Sequence, residues 1–104
     1  MSFYIKGGLI KPYQTLQGNI LKILFFLHID CDLYSSTKVV FDFLKNQIVK
    51  GTVIVFDEYF NYPGWQNGEF KAFKEFVIQN NVEYEYLTYN RYHEQVAVII
   101  KNIR

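Results

Sequence analysis

Two short apolar runs in the middle of the chain predict a pair of buried strands. Residues 23–29 (ILFFLHI) and 52–56 (TVIVF) are apolar at almost every position rather than at every second one, which is typical of parallel strands covered on both faces. Between them, apolar residues recur at helical spacing after the N-cap candidates at 35–37 and continue to Gly51. The pattern therefore predicts a strand, a helix and a second strand in succession.

The rest of the chain predicts further elements of the same kind. A Gly- and Pro-containing loop over 61–68 precedes a helix with one aromatic face, and residues 82–88 alternate like a half-exposed strand. The predicted elements outside the central unit are a strand at 2–6, a short helix at 12–17, a helix carrying Phe70, Phe73, Phe76 and Val77, and strands at 82–88 and 95–101. Their order predicts an α/β fold with a parallel core and an antiparallel C-terminal strand, in a single domain over residues 1–104.

Composition and charge remove several classes of protein. The 11 basic and 10 acidic residues leave a net charge of +1, which excludes a basic nucleic-acid surface, and the 10 Phe and 9 Tyr residues argue against disorder. Cys31 is the only cysteine, so no internal disulfide forms and a reducing, cytoplasmic location is expected. No apolar run reaches the ~20 residues that span a bilayer. Neither nucleic acid nor membrane is therefore expected as a partner.

Acidic residues follow each of the two buried strands. Asp30 and Asp32 end the first strand, and Asp57 and Glu58 end the second. Neighbouring parallel strands end at the same edge of a sheet, where α/β folds bind ligands, so we expect Asp30, Asp57 and Glu58 to converge. Carboxylates that close together repel one another unless their pKa values rise or a cation joins them. The spacing therefore predicts a divalent cation such as Mg²⁺, held by carboxylate oxygens.

Other interpretations of these acids stay open. Acidic residues also complement helix N-termini, and Asp32, just ahead of Ser35, fits either role. The motif Asp30-x-Asp32 also occurs in haloacid-dehalogenase-like phosphatases and in glycosyltransferases, although Tyr34 stands where the phosphatase motif has Thr or Val. A metal-dependent phosphohydrolase or nucleotide-sugar enzyme is therefore an alternative function.

Four further residues have both a structural and a functional interpretation. His28 shares strand parity with Asp30, but a lone histidine in an apolar strand is more often a hydrogen-bonded core residue. Trp65 either walls an acceptor pocket or anchors its loop. Cys31 is expected to be a small buried filler, and His93 is expected in a solvated turn.

The stretch from His28 to Thr37 (HIDCDLYSST), continued from Gly51 to Tyr59 (GTVIVFDEY), resembles the macrocin O-methyltransferase family. These enzymes use S-adenosylmethionine, have a Rossmann-like methyltransferase fold, and act on sugar hydroxyls. The resemblance implies a metal-dependent O-methyltransferase whose acceptor is a sugar or another polyhydroxylated small molecule.

The same resemblance implies roles for individual residues. Asp30, Asp57 and Glu58 match the family's metal-binding acids. Asp30 or Asp32 matches the acid that helps to deprotonate the acceptor hydroxyl. The metal would hold two acceptor oxygens and lower a hydroxyl pKa.

The resemblance covers only the C-terminal portion of the family's fold, strands three to seven of the usual seven. The family's cofactor site lies in an earlier Gly-rich turn, and here Gly7-Gly8 lacks the spaced glycines. We therefore expect a partial sheet that is inactive alone, binds S-adenosylmethionine weakly, and exposes residues 23–29 as an unprotected edge. Such a chain is expected to form a homo-oligomer or to pair with a separate N-terminal half. A non-catalytic interaction module is the remaining alternative.

Overall fold

The computed structural model describes residues 2–6, 24–31, 33–90 and 94–103. In chain order its elements are β1 (Ser2–Lys6), β2 (Leu24–Asp30), α1 (Tyr34–Leu44), β3 (Ile48–Phe56), a 3₁₀ helix (Trp65–Asn67), α2 (Glu69–Gln79), β4 (Glu83–Tyr89) and β5 (Val96–Asn102). Asp32, His93 and the helix predicted at 12–17 lie outside the described residues. Neither of the described α-helices has the length and apolar character needed to cross a membrane.

The five strands form one sheet in the order β1-β2-β3-β5-β4. The first three are parallel neighbours, and β5 runs antiparallel to both β3 and β4. The α/β class and the antiparallel C-terminal strand are therefore confirmed. Because β2 and β3 are adjacent and parallel, the acidic residues that follow them lie at the same edge of the sheet.

One face of the sheet carries the hydrophobic core. The register places Ile29 of β2 beside Phe56 of β3, and both side chains are fully buried. Phe41 of α1 and Phe73 of α2 pack on the Phe56 ring, with ring centroids 6.2 and 5.1 Å away. Both helices therefore cover this face, and burying each such side chain stabilises the fold by about 1.5–3 kcal/mol.

The opposite face of the sheet, here called the open sheet face, is covered by neither described helix. It carries Tyr4, Phe26, His28, Val53 and Val55, which pair across β1, β2 and β3. Tyr4 is 53% exposed and Phe26 38% exposed. Mostly parallel sheets normally bury both faces, so this face is a candidate contact surface.

Strand β1 overturns the prediction that residues 23–29 form a sheet edge. It pairs in parallel with β2, from Ser2 opposite Phe26 to Lys6 opposite Asp30. The outer strands are therefore β1 and β4, and β2 is internal. The physical reason is that the backbone N–H and C=O groups of a long apolar strand must be satisfied, and β1 supplies a five-residue partner.

Helix α1 is shorter than the periodicity predicted. It ends at Leu44, and Ile48 already begins β3 opposite Leu24. Gly51, with φ of 94°, lies inside β3 where its register with β2 shifts, so it does not close the helix. The predicted caps at 35–37 lie inside the first turns of α1, because Leu33 occupies the N-cap position. Runs of Ile and Val are compatible with the period of a helix and with that of a strand, and here pairing with β2 favours the strand.

Candidate functional site

The carboxyl ends of β2 and β3 bring two of the predicted acids together. The backbone N–H of Asp57 donates to the carbonyl of Ile29, at 3.0 Å, so the ladder between the strands continues past the last residue of β3. The carboxyl groups of Asp30 and Asp57 lie close enough to interact directly. The predicted convergence of these two residues at one edge of the sheet is therefore found.

Three polar side chains hold these carboxylates. His28 Nε2 lies 2.8 Å from Asp57 Oδ1, and Gln95 Nε2 donates to the same oxygen at 2.8 Å. On the other side, the Tyr4 hydroxyl donates to Asp30 Oδ2 at 2.8 Å. We call these five residues the acidic cluster. It draws on β1, on β2, on the residue directly after β3 and on the residue directly before β5.

The acidic cluster favours an ionised Asp57. Partial burial acts to raise the pKa of Asp57, but the hydrogen bonds from His28, Gln95 and Asp30 and the charge of His28 together lower this pKa. An ionised Asp57 accepts a hydrogen bond from the N–H group at Nε2 of His28. In a neutral imidazole this leaves Nδ1 as a hydrogen-bond acceptor.

Glu58 does not complete a three-acid group with Asp30 and Asp57. It lines a surface pocket of about 420 Å³ together with Asp57, Asn90, Glu94 and Gln95. Across residues 2–6, 24–31, 33–90 and 94–103, no three His, Cys, Asp or Glu side chains are arranged to hold a metal ion. The Mg²⁺ site stays a prediction from the sequence.

Glu69 links the backbone segments that follow β2 and β3. It is the first residue of α2, and its side chain is fully buried. Its Oε2 accepts the backbone N–H of Cys31 at 3.2 Å, and its Oε1 accepts the backbone N–H of Glu58 at 3.0 Å. Each of these N–H groups belongs to the residue directly after a clustered acid, Asp30 or Asp57.

The environment of Glu69 shifts its pKa strongly. Burial raises the pKa to about 8, opposed by the two backbone N–H groups and assisted by the charges of Glu58 and Asp57. A buried, bridging acid next to a cluster of other acids is a feature of functional sites as well as of structural networks.

An aromatic pocket of about 290 Å³ includes Val96, the residue that follows Gln95 of the acidic cluster. Its lining consists of Tyr59, Phe60, Trp65, Phe70, Tyr86, Tyr89 and Val96. Trp65 packs edge-to-face on Phe70, with ring centroids 4.9 Å apart. Trp65 therefore both anchors its loop and walls a pocket, the two roles that the sequence left open.

Comparisons with known proteins identify the fold. No family model matches the chain, and no curated protein does. Solved structures do match, among them the crystal structure of CalS11, a calicheamicin methyltransferase, at 24% identity over 83% of this chain with a TM-score of 0.59. A second is the apo structure of CalS11, TDP-rhamnose 3′-O-methyltransferase, an enzyme in calicheamicin biosynthesis, at 23% identity over 83% of this chain with a TM-score of 0.58. The chain therefore shares its fold with part of these methyltransferases.

The match covers only part of the solved methyltransferases. The chain spans 32% of the first CalS11 structure and 36% of the second. At this level of identity the likeness fixes the arrangement of strands and helices, whereas the chemistry has to be argued from the residues of this chain.

Four polar residues of the site were not assigned to it from the sequence, and one of them, His28, was expected instead to be a hydrogen-bonded core residue. His28 was visible through its parity with Asp30, but its bond to Asp57 depends on pairing between β2 and β3. Glu69 also left a signal, since it occupies the buried stripe of α2 with Ala72, Phe73 and Phe76. Tyr4 and Gln95 left none, because their partners are far away in the sequence.

Proposed function

We propose that this chain forms the acceptor side of an S-adenosylmethionine-dependent O-methyltransferase that acts on a sugar or another polyhydroxylated small molecule, similar to the macrocin O-methyltransferases. The observation that carries the proposal is the acidic cluster at the carboxyl ends of β2 and β3, where α/β folds bind their ligands. The methyltransferase fold of the solved neighbours supports it.

In this proposal Asp30 acts as the general base for the acceptor hydroxyl. The Tyr4 hydroxyl fixes the Asp30 carboxylate through Oδ2. Asp57 fixes the tautomer and ring plane of His28 through Nε2, so that Nδ1 is an acceptor for a second hydroxyl of the same ligand. Two such contacts orient a polyhydroxylated ligand and withdraw a proton from one oxygen.

The cofactor itself finds few partners in the described residues. S-adenosylmethionine, when bound, supplies an electrophilic methyl group. The described glycines, Gly51, Gly64 and Gly68, do not form a Gly-rich turn after a strand, and such a turn is the usual cradle for this kind of cofactor. The described chain therefore does not fit the cofactor, and the proposed role concerns the acceptor alone.

The aromatic pocket gives the acceptor an apolar contact. Residues that are neighbours in the sequence line this pocket and the surface pocket beside Glu58. Tyr89 and Val96 line the aromatic pocket, and Asn90 and Gln95 line the pocket beside Glu58. The two pockets are therefore bordered by consecutive residues at the end of β4 and at the start of β5. Ligand sites commonly combine apolar and aromatic walls with a few placed polar groups, and here the polar groups are the acids and amides.

We expect Asp57→Asn to weaken binding of hydroxylated ligands by about ten-fold or more, because it removes the charged partner that orients His28, and hydrogen bonds to a charged group contribute about 1.5–3 kcal/mol. The measurement is NMR titration of the parent chain with a panel of methyl glycosides, following the His28 and Trp65 ring signals. Asp42→Asn is the matched control, since Asp42 is exposed on α1 and pairs only weakly with Lys38 at 4.0 Å.

Two results would count against the proposal. One is that no glycoside perturbs the ring signals of the parent chain, and the other is equal affinity of the parent and Asp57→Asn. Calorimetric titration of the same two proteins with Mg²⁺ tests the metal prediction, which requires weaker binding by Asp57→Asn.

We further propose that the open sheet face pairs with a second copy of the chain or with a chain that carries the cofactor half. Phe26 and Tyr4 on this face are half-exposed, and the matched solved chains continue for about two thirds of their length beyond the match. Exposed apolar surface of this kind marks contact sites. We therefore expect the chains to associate through the open sheet face and not through an edge at β2.

Light scattering coupled to size exclusion is expected to give a mass above that of one chain at high concentration. Phe26→Glu is expected to restore the monomer, because a charge on the open sheet face opposes its burial. Ile78→Glu is the control, since Ile78 is 75% exposed on α2, away from that face. A parent chain that is monomeric at every concentration would refute the proposed pairing between copies.

A further inference from the structure

Glu69 is an unusual residue for the buried stripe of a helix. The stripe of α2 also contains Ala72, Phe73 and Phe76, and all four side chains are buried. A carboxyl group at such a position is costly unless both of its oxygens find partners. Its two partners are the backbone N–H groups of Cys31 and Glu58, which lie 38 and 11 residues away in the sequence.

Those two N–H groups mark the place where the β2–β3 ladder stops. The last ladder bond runs from the Asp57 N–H to the Ile29 carbonyl. Beyond this bond, the N–H groups of Glu58, one residue after Asp57, and of Cys31, two residues after Ile29, both donate to Glu69. A single carboxyl group therefore continues the link between the two strands beyond their last backbone bond.

We propose that Glu69 is a positioning residue that sets the separation of Asp30 and Asp57 by clamping the backbone immediately after each of them. This inference rests on the proposed function, because the spacing of these two acids matters only if they act together on one acceptor. Glu69 itself touches no ligand. It acts through the peptide groups that directly follow Asp30, the proposed base, and Asp57, which orients His28.

The geometry explains why a carboxyl group, and no other side chain, performs this role. Two oxygens spread from one carbon accept from two amides at 3.2 and 3.0 Å, and when the carboxyl group is protonated its hydroxyl oxygen still has a lone pair that can accept. A glutamine of the same shape offers one oxygen and one NH₂ group, so one backbone N–H would face another donor. An aspartate keeps both oxygens but is one methylene shorter, which moves the carboxyl group away from the strand ends.

The test uses Glu69→Gln, Glu69→Asp and the control Glu75→Gln in the full chain. Glu75 lies on the same helix, and there it accepts a hydrogen bond from the Tyr34 hydroxyl at 2.6 Å, which a glutamine oxygen also accepts. The readouts are amide hydrogen exchange at Cys31 and Glu58, the ¹⁵N signals of the His28 ring, and affinity for the glycoside that binds the parent chain best. Exchange at Val98, in the middle of the sheet, reports global unfolding.

We expect Glu69→Gln to speed exchange at Cys31 or Glu58 by about ten-fold or more relative to Val98, to shift the His28 ring signals, and to weaken glycoside binding. Glu69→Asp is expected to behave in the same way, and Glu75→Gln like the parent. A merely structural Glu69 would accelerate exchange at all sites together and leave the His28 signals of the folded protein unchanged.

The possible failures are distinct from one another. Uniform exchange and unchanged His28 signals in both Glu69 variants would overturn the positioning role. Altered His28 signals in a protein that binds no glycoside would instead overturn the proposed function and leave the clamp supported. If Glu69→Gln does not fold, the amide exchange rates and the His28 ring signals of Glu69→Asp alone test the positioning role.

Discussion

Replacing Phe73 with alanine is expected to lower the free energy of unfolding by about 3–5 kcal/mol, the usual loss for a fully buried phenylalanine. Phe73 is completely buried on α2 and packs against rings from α1, β3 and β4. Its ring centroid lies 5.1 Å from that of Phe56 and 4.9 Å from that of Tyr84. Truncation leaves a cavity where all these elements meet.

Urea unfolding followed by far-UV circular dichroism measures this loss. Phe43→Ala is the matched control, because Phe43 is 48% exposed on α1 and the same atoms are removed. Its expected loss stays below about 1 kcal/mol. Since domains are commonly stable by only about 5–15 kcal/mol, Phe73→Ala is expected to unfold at much lower urea. Equal losses in the two variants would contradict the position of the core described here.

The second large effect is a fall in stability as the pH rises from about 4.5 to about 8. Burial raises the pKa of Glu69 from 4.5 to about 8 in the folded chain. Between these values the folded state holds a proton that the unfolded state has released. The stabilisation is therefore complete below pH 4.5, decreases through the interval, and is lost above about 8, with a limiting slope of about 1.4 kcal/mol per pH unit.

The free energy of unfolding of the parent and of Glu69→Gln, measured in urea from pH 5 to pH 8.5, tests this dependence. The variant has no titrating group at this position, so its stability is expected to change less with pH. Glu75→Gln is the control and is expected to follow the parent. Asp57 contributes with the opposite sign and outside this window, because its pKa is lowered from 3.8. Parallel curves for parent and Glu69→Gln would contradict the assignment.

Much of the element order could be predicted from the sequence because hydrophobic periodicity is a local property. The runs at 23–29 and 52–56, each apolar on both faces, predicted β2 and the end of β3, and the aromatic stripe predicted α2. Where the local signal was ambiguous the prediction was wrong, as at Ile48, which belongs to β3 instead of α1. Pairing with Leu24 on β2 decided that boundary.

The position of the sheet edge differs from the one that the resemblance predicted. The partial sheet implied by the resemblance predicted that residues 23–29 form an exposed edge. In the structure β1 pairs along β2, and the apolar surface left over is the open sheet face. The backbone hydrogen bonds of β2 have to be satisfied, and β1 satisfies them along one side of the strand.

The sequence by itself determined the α/β class, the adjacency of β2 and β3, and the meeting of Asp30 with Asp57, since these follow from apolar period and from the rule that parallel strands end at one edge. Only the tertiary structure decided which side chains hold those acids. The bonds from His28 to Asp57, from Gln95 to Asp57, and from Cys31 to Glu69 join residues 29, 38 and 38 positions apart. The partner of a polar side chain depends on which distant segment folds beside it, and no local pattern carries that information.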